Sequence, residues 1–185
     1  MNAAQRKASD KAVDLAIDVA IDSELWKKHP GAEDTIRQAI VEATHASNAM
    51  PGEIAIVLTD DAAIRGLNKR WRGFDKATNV LSFPAQATPG SADPPHLGDI
   101  VIAFETTADE AERDKKPFAH HLAHLAVHGY LHLLGHDHES DHEADAMERL
   151  ETDILARLGV PDPYAGELDP QDSAPQEAAT LKNHA

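Results

Sequence analysis

The chain has 185 residues, no cysteine and a formal net charge of −15 at pH 7. This length predicts one domain with a sizeable hydrophobic core, and the lack of cysteine excludes disulfide bonds and thiolate-type zinc sites. The sequence has no secretory signal and no apolar run near ~18 residues, which predicts a cytoplasmic protein. The acidic excess argues against broad adhesion to RNA, DNA or membranes, so contact with RNA would need a local basic patch.

Composition along the chain predicts a single domain over 12–164, between a flexible N-terminus (1–11) and a disordered tail (165–185). Periodicity and turn signals predict four strands and five helices. In chain order these are a strand ending at Ile21, a helix over 32–48, a strand over 53–59, a helix over about 61–72, strands over 77–84 and 97–104, and helices over 105–114, from Pro117 and over about 139–158. This order predicts an α+β fold with a mixed sheet of about four strands packed with helices.

The helix over about 61–72 carries a basic cluster. We expect Ile64, Leu67 and Trp71 to face inward. Five of the seventeen basic residues fall within twelve positions, on the outward side of this helix and just beyond it: Arg65, Lys69, Arg70, Arg72 and Lys76. The pattern fits either a solvated helix face or an RNA-binding surface.

Eight of the twelve histidines lie between His120 and His142. His128 and His132 are four residues apart in a helix-patterned run, which places their Cβ atoms roughly 5–6 Å apart on one face. Gly135 can end this helix in a left-handed conformation, and a turn there would bring His138 to the same ion. The spacing predicts a three-histidine zinc site with one open coordination position, although copper and nickel also suit such ligands.

Other residues near this site have weaker signals. His124, one helical turn before His128, is either a core histidine or a support for the ligands. Asp137 and Glu151 can each hydrogen-bond to a ligating imidazole, and Glu151 is equally consistent with a satisfied buried carboxylate. The remaining histidines of the cluster are expected to be exposed: His120, His121, His136 and His142.

A zinc ion with an open position predicts hydrolysis, because zinc lowers the pKa of bound water to about 7. The spacing of the three histidines matches the metzincin protease pattern. Gly129, however, stands where those enzymes have their glutamate base, which disfavours peptide hydrolysis. Glycine within a helix costs about 1 kcal/mol relative to alanine. Its presence predicts a close backbone approach at that point.

Four blocks of the sequence together resemble one family. They are HGYLHLLGHDH (128–138), LNKRWRGFDKATNVLSFP (67–84), LGDIVI (97–102) and the helix with Met147, Glu151 and Ile154. Over roughly 13–160 the chain resembles the YbeY endoribonucleases, bacterial rRNA maturation factors. It departs from their usual pattern at Asn79, where aspartate is common, and at His136, where tyrosine is common.

The resemblance implies a zinc-dependent, single-strand-specific endoribonuclease that acts in 16S rRNA 3′-end processing and ribosome quality control. Its implied partners are an rRNA precursor and the small ribosomal subunit, with docking through ribosomal proteins. His128, His132 and His138 match the metal ligands of the family, and Arg72 matches the arginine associated with RNA processing. No membrane or DNA partner is expected.

The resemblance also gives the basic cluster a role. Arg72 would be catalytic by holding a phosphate, because a guanidinium can stabilise charge on phosphate oxygens bidentately. The rest of the basic cluster would bind RNA. Either water at the metal or the RNA 2′-OH can serve as nucleophile, and no general base is evident. A non-catalytic zinc-containing ribosome-assembly factor and another zinc hydrolase, such as a peptidase, remain alternatives.

Overall fold

The computed structural model describes residues 15–49, 51–85, 95–136 and 140–165. The predicted N-terminal segment and all but the first residue of the predicted tail lie outside these ranges. No helix of the described residues is long and apolar enough to cross a membrane. The elements are β1 (Leu15–Ile21), a short 3-10 helix (Glu24–Lys28), α1 (Ala32–Ser47), β2 (Gly52–Thr59), α2 (Asp61–Arg72), β3 (Val80–Pro84), β4 (His96–Ala103), α3 (Phe104–Arg113), α4 (Phe118–Leu133) and α5 (Asp141–Arg157).

The four strands form one mixed sheet in the order β1-β2-β4-β3. β1, β2 and β4 are parallel, and β3 runs antiparallel to β4 at the edge. Ile100, Val101 and Ile102 of β4 are all buried. Both faces of this strand are therefore covered, as its continuous apolar run predicts. The predicted α+β fold and element order are confirmed, and the 3-10 helix is the one addition within the described residues.

The two faces of the sheet carry different helices. The larger core joins one face to α1, α4 and α5, and its strand residues are Ile54, Ile56, Leu58, Ile100 and Ile102. A smaller core on the other face joins Ile64 of α2 to Leu81, Val101 and Ala103. The basic helix α2 and the histidine helix α4 therefore lie on opposite faces of the sheet.

Helix α2 is anchored at its start and overhangs the sheet at its end. The Asp60 carboxylate accepts a hydrogen bond from the Ala63 N–H (3.0 Å), as a capping residue does. The prediction that Trp71 faces inward is wrong, because its side chain is 63% exposed. Trp71 contacts Phe83 of β3, with ring centroids 6.2 Å apart. β3 is the edge strand of the described sheet, and among the described residues no further strand lies beyond it to cover the indole.

Gly129 allows α4 to lie directly on the sheet. A Cβ atom at this position would lie 3.1 Å from Ile100 Cγ2 and 3.1 Å from Ser82 Oγ. The Ser82 hydroxyl donates a hydrogen bond to the Gly129 carbonyl (3.0 Å), which joins the helix to β3. The expected close backbone approach is confirmed, and it explains why a poor helix former occupies the middle of this helix.

Alanine at position 129 should lower the free energy of unfolding by about 1 kcal/mol. Overpacking costs about 1–3 kcal/mol and the gain in helix propensity returns about 1 kcal/mol. The matched control is Gly66→Ala on α2, where a Cβ atom meets nothing within 4 Å. That variant should be more stable by roughly 0.5–1 kcal/mol. Urea unfolding measures both, and an equal gain at the two positions would contradict the packing argument.

Candidate metal centre

Helix α4 ends where the sequence predicts. Gly135 has a φ of +87°, in the left-handed region. Its N–H donates to the carbonyl of His132 (3.0 Å), which tightens the last turn before the chain reverses. Residues 137–139 lie outside the described ranges. The predicted ligand His138 and the predicted supporting residue Asp137 fall in this gap, so both roles stay predictions.

The two helix histidines face each other through their outer nitrogens. The Nε2 atoms of His128 and His132 are 3.1 Å apart. Two ligands of a tetrahedral zinc ion, each about 2.0–2.1 Å from the metal, are separated by about 3.3 Å. The spacing of the two nitrogens therefore fits a shared metal ion.

The other ring nitrogens have acceptors that fix the tautomers. The His132 Nδ1 donates to the His136 backbone carbonyl (2.9 Å), and the His128 Nδ1 donates to the Glu151 carboxylate (2.8 Å). A carbonyl or carboxylate oxygen only accepts, so both Nδ1 atoms carry the proton. In the neutral imidazoles the Nε2 lone pairs then point toward each other. Metal-ligating histidines are commonly oriented by such partners.

Glu151 is a fully buried carboxylate on α5, with 0% of the residue exposed. One oxygen accepts from His128, and the other accepts from His124 Nε2 (3.0 Å) and from the Tyr164 hydroxyl. Burial raises the pKa of Glu151, but the hydrogen bonds from His124 and His128 outweigh it and lower the pKa to about 2. An ionised acid thus lies within the apolar stripe of α5. Glu151 therefore contacts His128 directly and His124 contacts Glu151, and the predicted role of both residues in supporting metal ligands stays a prediction.

His124, His128 and Glu151 could themselves hold a metal ion, since their donor atoms lie within 4.8 Å of one another. An ion there would compete with the hydrogen bonds that Glu151 already accepts. The geometry favours a different division of roles. The Nε2 atoms of His128 and His132 face each other, while the Glu151 carboxylate contacts His128 through its Nδ1 and His124 contacts Glu151 in turn.

His121 is not exposed as expected: only 8% of the residue is accessible. Helix α3 packs against α4 and brings Glu110 to His121, with a distance of 2.9 Å from its Nε2. The same carboxylate oxygen accepts from the Asn79 side-chain amide (2.9 Å). His121 lies seven residues before His128, and that spacing could have placed it on the buried stripe. His136 and His142 are exposed as predicted, whereas His120 is half-buried.

Two of the five residues of the basic cluster form ion pairs with one acidic residue. Asp75 binds Arg65 (2.7 Å) and Lys69 (2.8 Å), and the hydrogen bonds from Lys69 and Arg65 lower the pKa of Asp75. Within the described parts of the chain, three basic residues of the cluster form no ion pair: Arg70, Arg72 and Lys76. Because α2 and α4 cover opposite faces of the sheet, the structure does not place Arg72 among the histidines.

Comparison with known proteins identifies the family. The profile described as endoribonuclease YbeY matches residues 20–159. The chain belongs to the YbeY family. A protein of Bradyrhizobium sp. (strain BTAi1 / ATCC BAA-1182) named endoribonuclease YbeY is 59% identical over 149 residues, which cover 77% of this chain and 88% of that protein.

Other similar proteins agree with the family. A Bradyrhizobium diazoefficiens protein with the YbeY name is 54% identical over 149 residues, covering 77% of this chain and 81% of its own length. A solution structure of a Thermotoga maritima protein covers 84% of this chain and 98% of its own, with 19% identity and a TM-score of 0.46. That likeness is too loose to support an argument. The resemblance inferred from the four sequence blocks of this YbeY-family chain is confirmed.

Sequence reasoning missed two partners of the histidines. Tyr164 follows the last helix and bonds the buried oxygen of Glu151, and Glu110 bonds His121 from α3. Neither has a local signal, since each contact joins residues from different elements. Only the packing of the helices brings them together.

Replacing Glu151 by glutamine should lower Zn²⁺ affinity roughly 10–100-fold. The amide keeps the size of the side chain but cannot accept from both imidazoles through two oxygens. Competition with a chromophoric chelator measures the affinity. Glu148→Gln, an exposed position on the same helix, should leave it unchanged. Equal affinity in the two variants would contradict the supporting role of Glu151.

The Glu110→Gln variant tests the contact between Glu110 and His121 by the pH dependence of stability. Burial raises the pKa of Glu110, but hydrogen bonds from His121 and Asn79 overcome it, so the pKa is lowered. The ionised carboxylate therefore stabilises the fold above the ordinary carboxyl pKa of about 4.3, and this contribution is lost as the pH falls through the lowered value. The variant should be less stable than the parent at pH 7.

The difference in the free energy of unfolding between the Glu110→Gln variant and the parent should become smaller as the pH falls. Urea unfolding between pH 7 and pH 3 follows it, with Glu112→Gln as an exposed control on the same helix. A difference that does not change with pH would show that the charge of Glu110 is not what stabilises the pair.

Proposed function

We propose that this chain is a zinc-dependent, single-strand-specific endoribonuclease that acts in 16S rRNA 3′-end processing and ribosome quality control. The observation that carries the proposal is the pair of facing Nε2 atoms of His128 and His132, 3.1 Å apart. Membership of the YbeY family, whose relatives are named endoribonucleases, supports the reaction class.

Zinc is the metal that this donor set fits best. The residues that would hold it are His128, His132 and the predicted ligand His138, all neutral imidazoles, and the chain has no thiolate to offer. When bound, zinc acts as a Lewis acid and promotes deprotonation of water at neutral pH. Three protein ligands leave room for this chemistry at a fourth position.

The surrounding residues keep the imidazoles in one orientation. Glu151 holds His128 from the buried side, and His124 and Tyr164 hold Glu151 in turn. The His136 carbonyl does the same for His132. A site whose rings are held by hydrogen bonds is preorganised, so little reorganisation is needed when metal and substrate bind.

Arg72 and its neighbours would hold the RNA backbone. A guanidinium can bind two phosphate oxygens at once and stabilise charge that develops on them during cleavage. Arg72 has no ion-pair partner within the described ranges, which keeps it available for phosphate. On a protein with a net charge of −15, this patch offers RNA a local point of attraction.

The positions of α2 and α4 favour a single-stranded substrate. RNA held at the end of α2 would have to pass around the edge strand β3 to reach the histidines on the other face. A nucleic-acid duplex is stiff over roughly 150 base pairs, whereas a single strand bends within a few nucleotides. As partners we propose an rRNA precursor and the small ribosomal subunit, the latter through ribosomal proteins.

His132→Ala should abolish both zinc retention and cleavage of single-stranded RNA. The change removes one of the two facing nitrogens, so the ion loses a ligand. Metal content by mass spectrometry and cleavage of a labelled oligonucleotide measure the two effects. His142→Ala, an exposed position on α5, should change neither. Cleavage that persists in a metal-free variant would refute the proposal.

The same assays separate Arg72 from the metal ligands. Arg72→Ala should keep zinc and lose cleavage, with Arg113→Ala on α3 as an exposed control. Loss of zinc in the Arg72 variant would contradict its role at the phosphate.

The second candidate function is a non-catalytic ribosome-assembly factor, which the acidic surface favours. Rescue of rRNA maturation by a variant that keeps zinc but cannot cleave RNA would establish it.

A further inference from the structure

We propose that Trp71 and Phe74 form a nucleobase-stacking platform for single-stranded RNA. The inference rests on the proposed function and adds a binding site to it. Four large apolar side chains are exposed among the described residues, and the two aromatic ones are Trp71 (63%) and Phe74 (59%). The other two, Ile21 and Val41, lie in β1 and α1. Single exposed apolar residues are common, but two aromatic rings three positions apart are a feature to explain.

Each of the two rings has its own cation. The Arg70 guanidinium carbon lies over the Trp71 ring, 5.4 Å from its centroid, and the Lys76 Nζ lies over the Phe74 ring, 5.9 Å from its centroid. Proteins that bind single-stranded nucleic acid use exposed aromatic rings together with basic side chains, because bases stack on the rings and phosphates pair with the charges. Arg70 and Lys76 form no ion pair with any described residue, so both charges are available to phosphates.

The loop that carries Phe74 is folded back onto α2. The Asn68 side chain donates to the Lys76 carbonyl (2.8 Å), and the Phe74 N–H donates to the Asn68 carbonyl (3.3 Å). Gly73 makes the reversal possible, with a φ of +78°. These contacts hold the loop before any ligand arrives. A surface that is already ordered loses less entropy on binding.

Asp75 holds the loop after α2 in place, and Phe83 holds the Trp71 ring in place. Asp75 binds both Arg65 (2.7 Å) and Lys69 (2.8 Å), which ties the loop to the helix. Phe83 supports Trp71 from β3, edge to face at an interplanar angle of 64°. The indole is therefore placed by the sheet while most of its surface remains open to solvent.

The platform lies beside the strand that supports the candidate metal centre. Phe83 contacts Trp71, and its neighbour Ser82 donates a hydrogen bond to Gly129, the residue after His128. Successive residues of a strand point to opposite faces, so β3 presents one side to the platform and the other to α4. A base stacked on the platform would hold the RNA at β3, the edge strand around which the RNA has to pass to reach the histidines.

Charge favours RNA over a protein as the occupant. The platform is rimmed by cations on a chain with a net charge of −15, so its ligand should be anionic and carry planar groups. RNA supplies both at every nucleotide. Stacking is tolerant of sequence, because every base has a π-face. An acidic protein with its own aromatic residues is the competing occupant, and the experiment distinguishes it.

Tryptophan fluorescence gives a direct readout. The chain has two tryptophans, and Trp26 is only 2% exposed. Titration of the zinc-loaded full chain with a single-stranded 2′-O-methyl oligonucleotide should quench Trp71. The Trp71→Phe variant retains Trp26 alone and should show no quenching. An abasic oligomer of the same length has the phosphates without the bases, and should quench the parent far less.

Affinity for the same oligonucleotide tests the rings separately. Trp71→Leu and Phe74→Leu keep apolar bulk but lose the π-face, and each should weaken binding roughly 5- to 150-fold. Trp71→Phe should retain most of the affinity. Val41→Ala, an exposed apolar position on α1, should retain all of it. Zinc content and the thermal midpoint should be unchanged in every variant.

The outcomes separate this site from the proposed nuclease function. If the parent cleaves RNA while Trp71 is not quenched and both leucine variants bind normally, the platform is wrong and the nuclease function stands. If Trp71 is quenched but the parent does not cleave, the platform stands without that function. Leucine variants that bind RNA normally but no longer associate with small-subunit proteins would overturn the platform in favour of a protein-docking surface.

Discussion

The structure of the candidate site depends on one ionised carboxylate inside the core. Glu151 has no access to water, and its hydrogen bonds join α5 to two histidines of α4 and to Tyr164. Removing one of these donors would leave a buried charge partly unsatisfied, which costs about 1–3 kcal/mol or more. The same contacts therefore fix the packing of two helices and the orientation of His128, so the fold and the site are not independent.

The sheet separates the two groups of residues that the proposed function requires, the histidines and the basic cluster. The histidines lie on the face covered by α4, and the basic cluster lies on the face covered by α2. The edge strand β3 touches both sides, through Ser82 at Gly129 and through Phe83 at Trp71. An edge is the place where a flexible chain can pass from one face of a sheet to the other. This topology is consistent with the flexible, single-stranded substrate that we propose.

The sequence-based predictions that the structure confirms rest on local physics. Gly135 ends α4 in a left-handed conformation, because this property belongs to a residue and its nearest neighbours. The cost of glycine within a helix predicts the close backbone approach at Gly129. The strand and helix order followed in the same way from period and turn signals. Pattern alone was also enough to bring His128 and His132 onto one helix face.

The sequence by itself determined the fold class, the element order, the paired histidines and the family to which the chain belongs. The tertiary structure decided which side chains are exposed and which groups hold the histidines. Trp71 has an inward position by helical period, yet it is exposed because α2 ends over an edge strand. His121 is buried because α3 brings Glu110 to it. Periodicity describes one element at a time, whereas burial depends on what another element places against it.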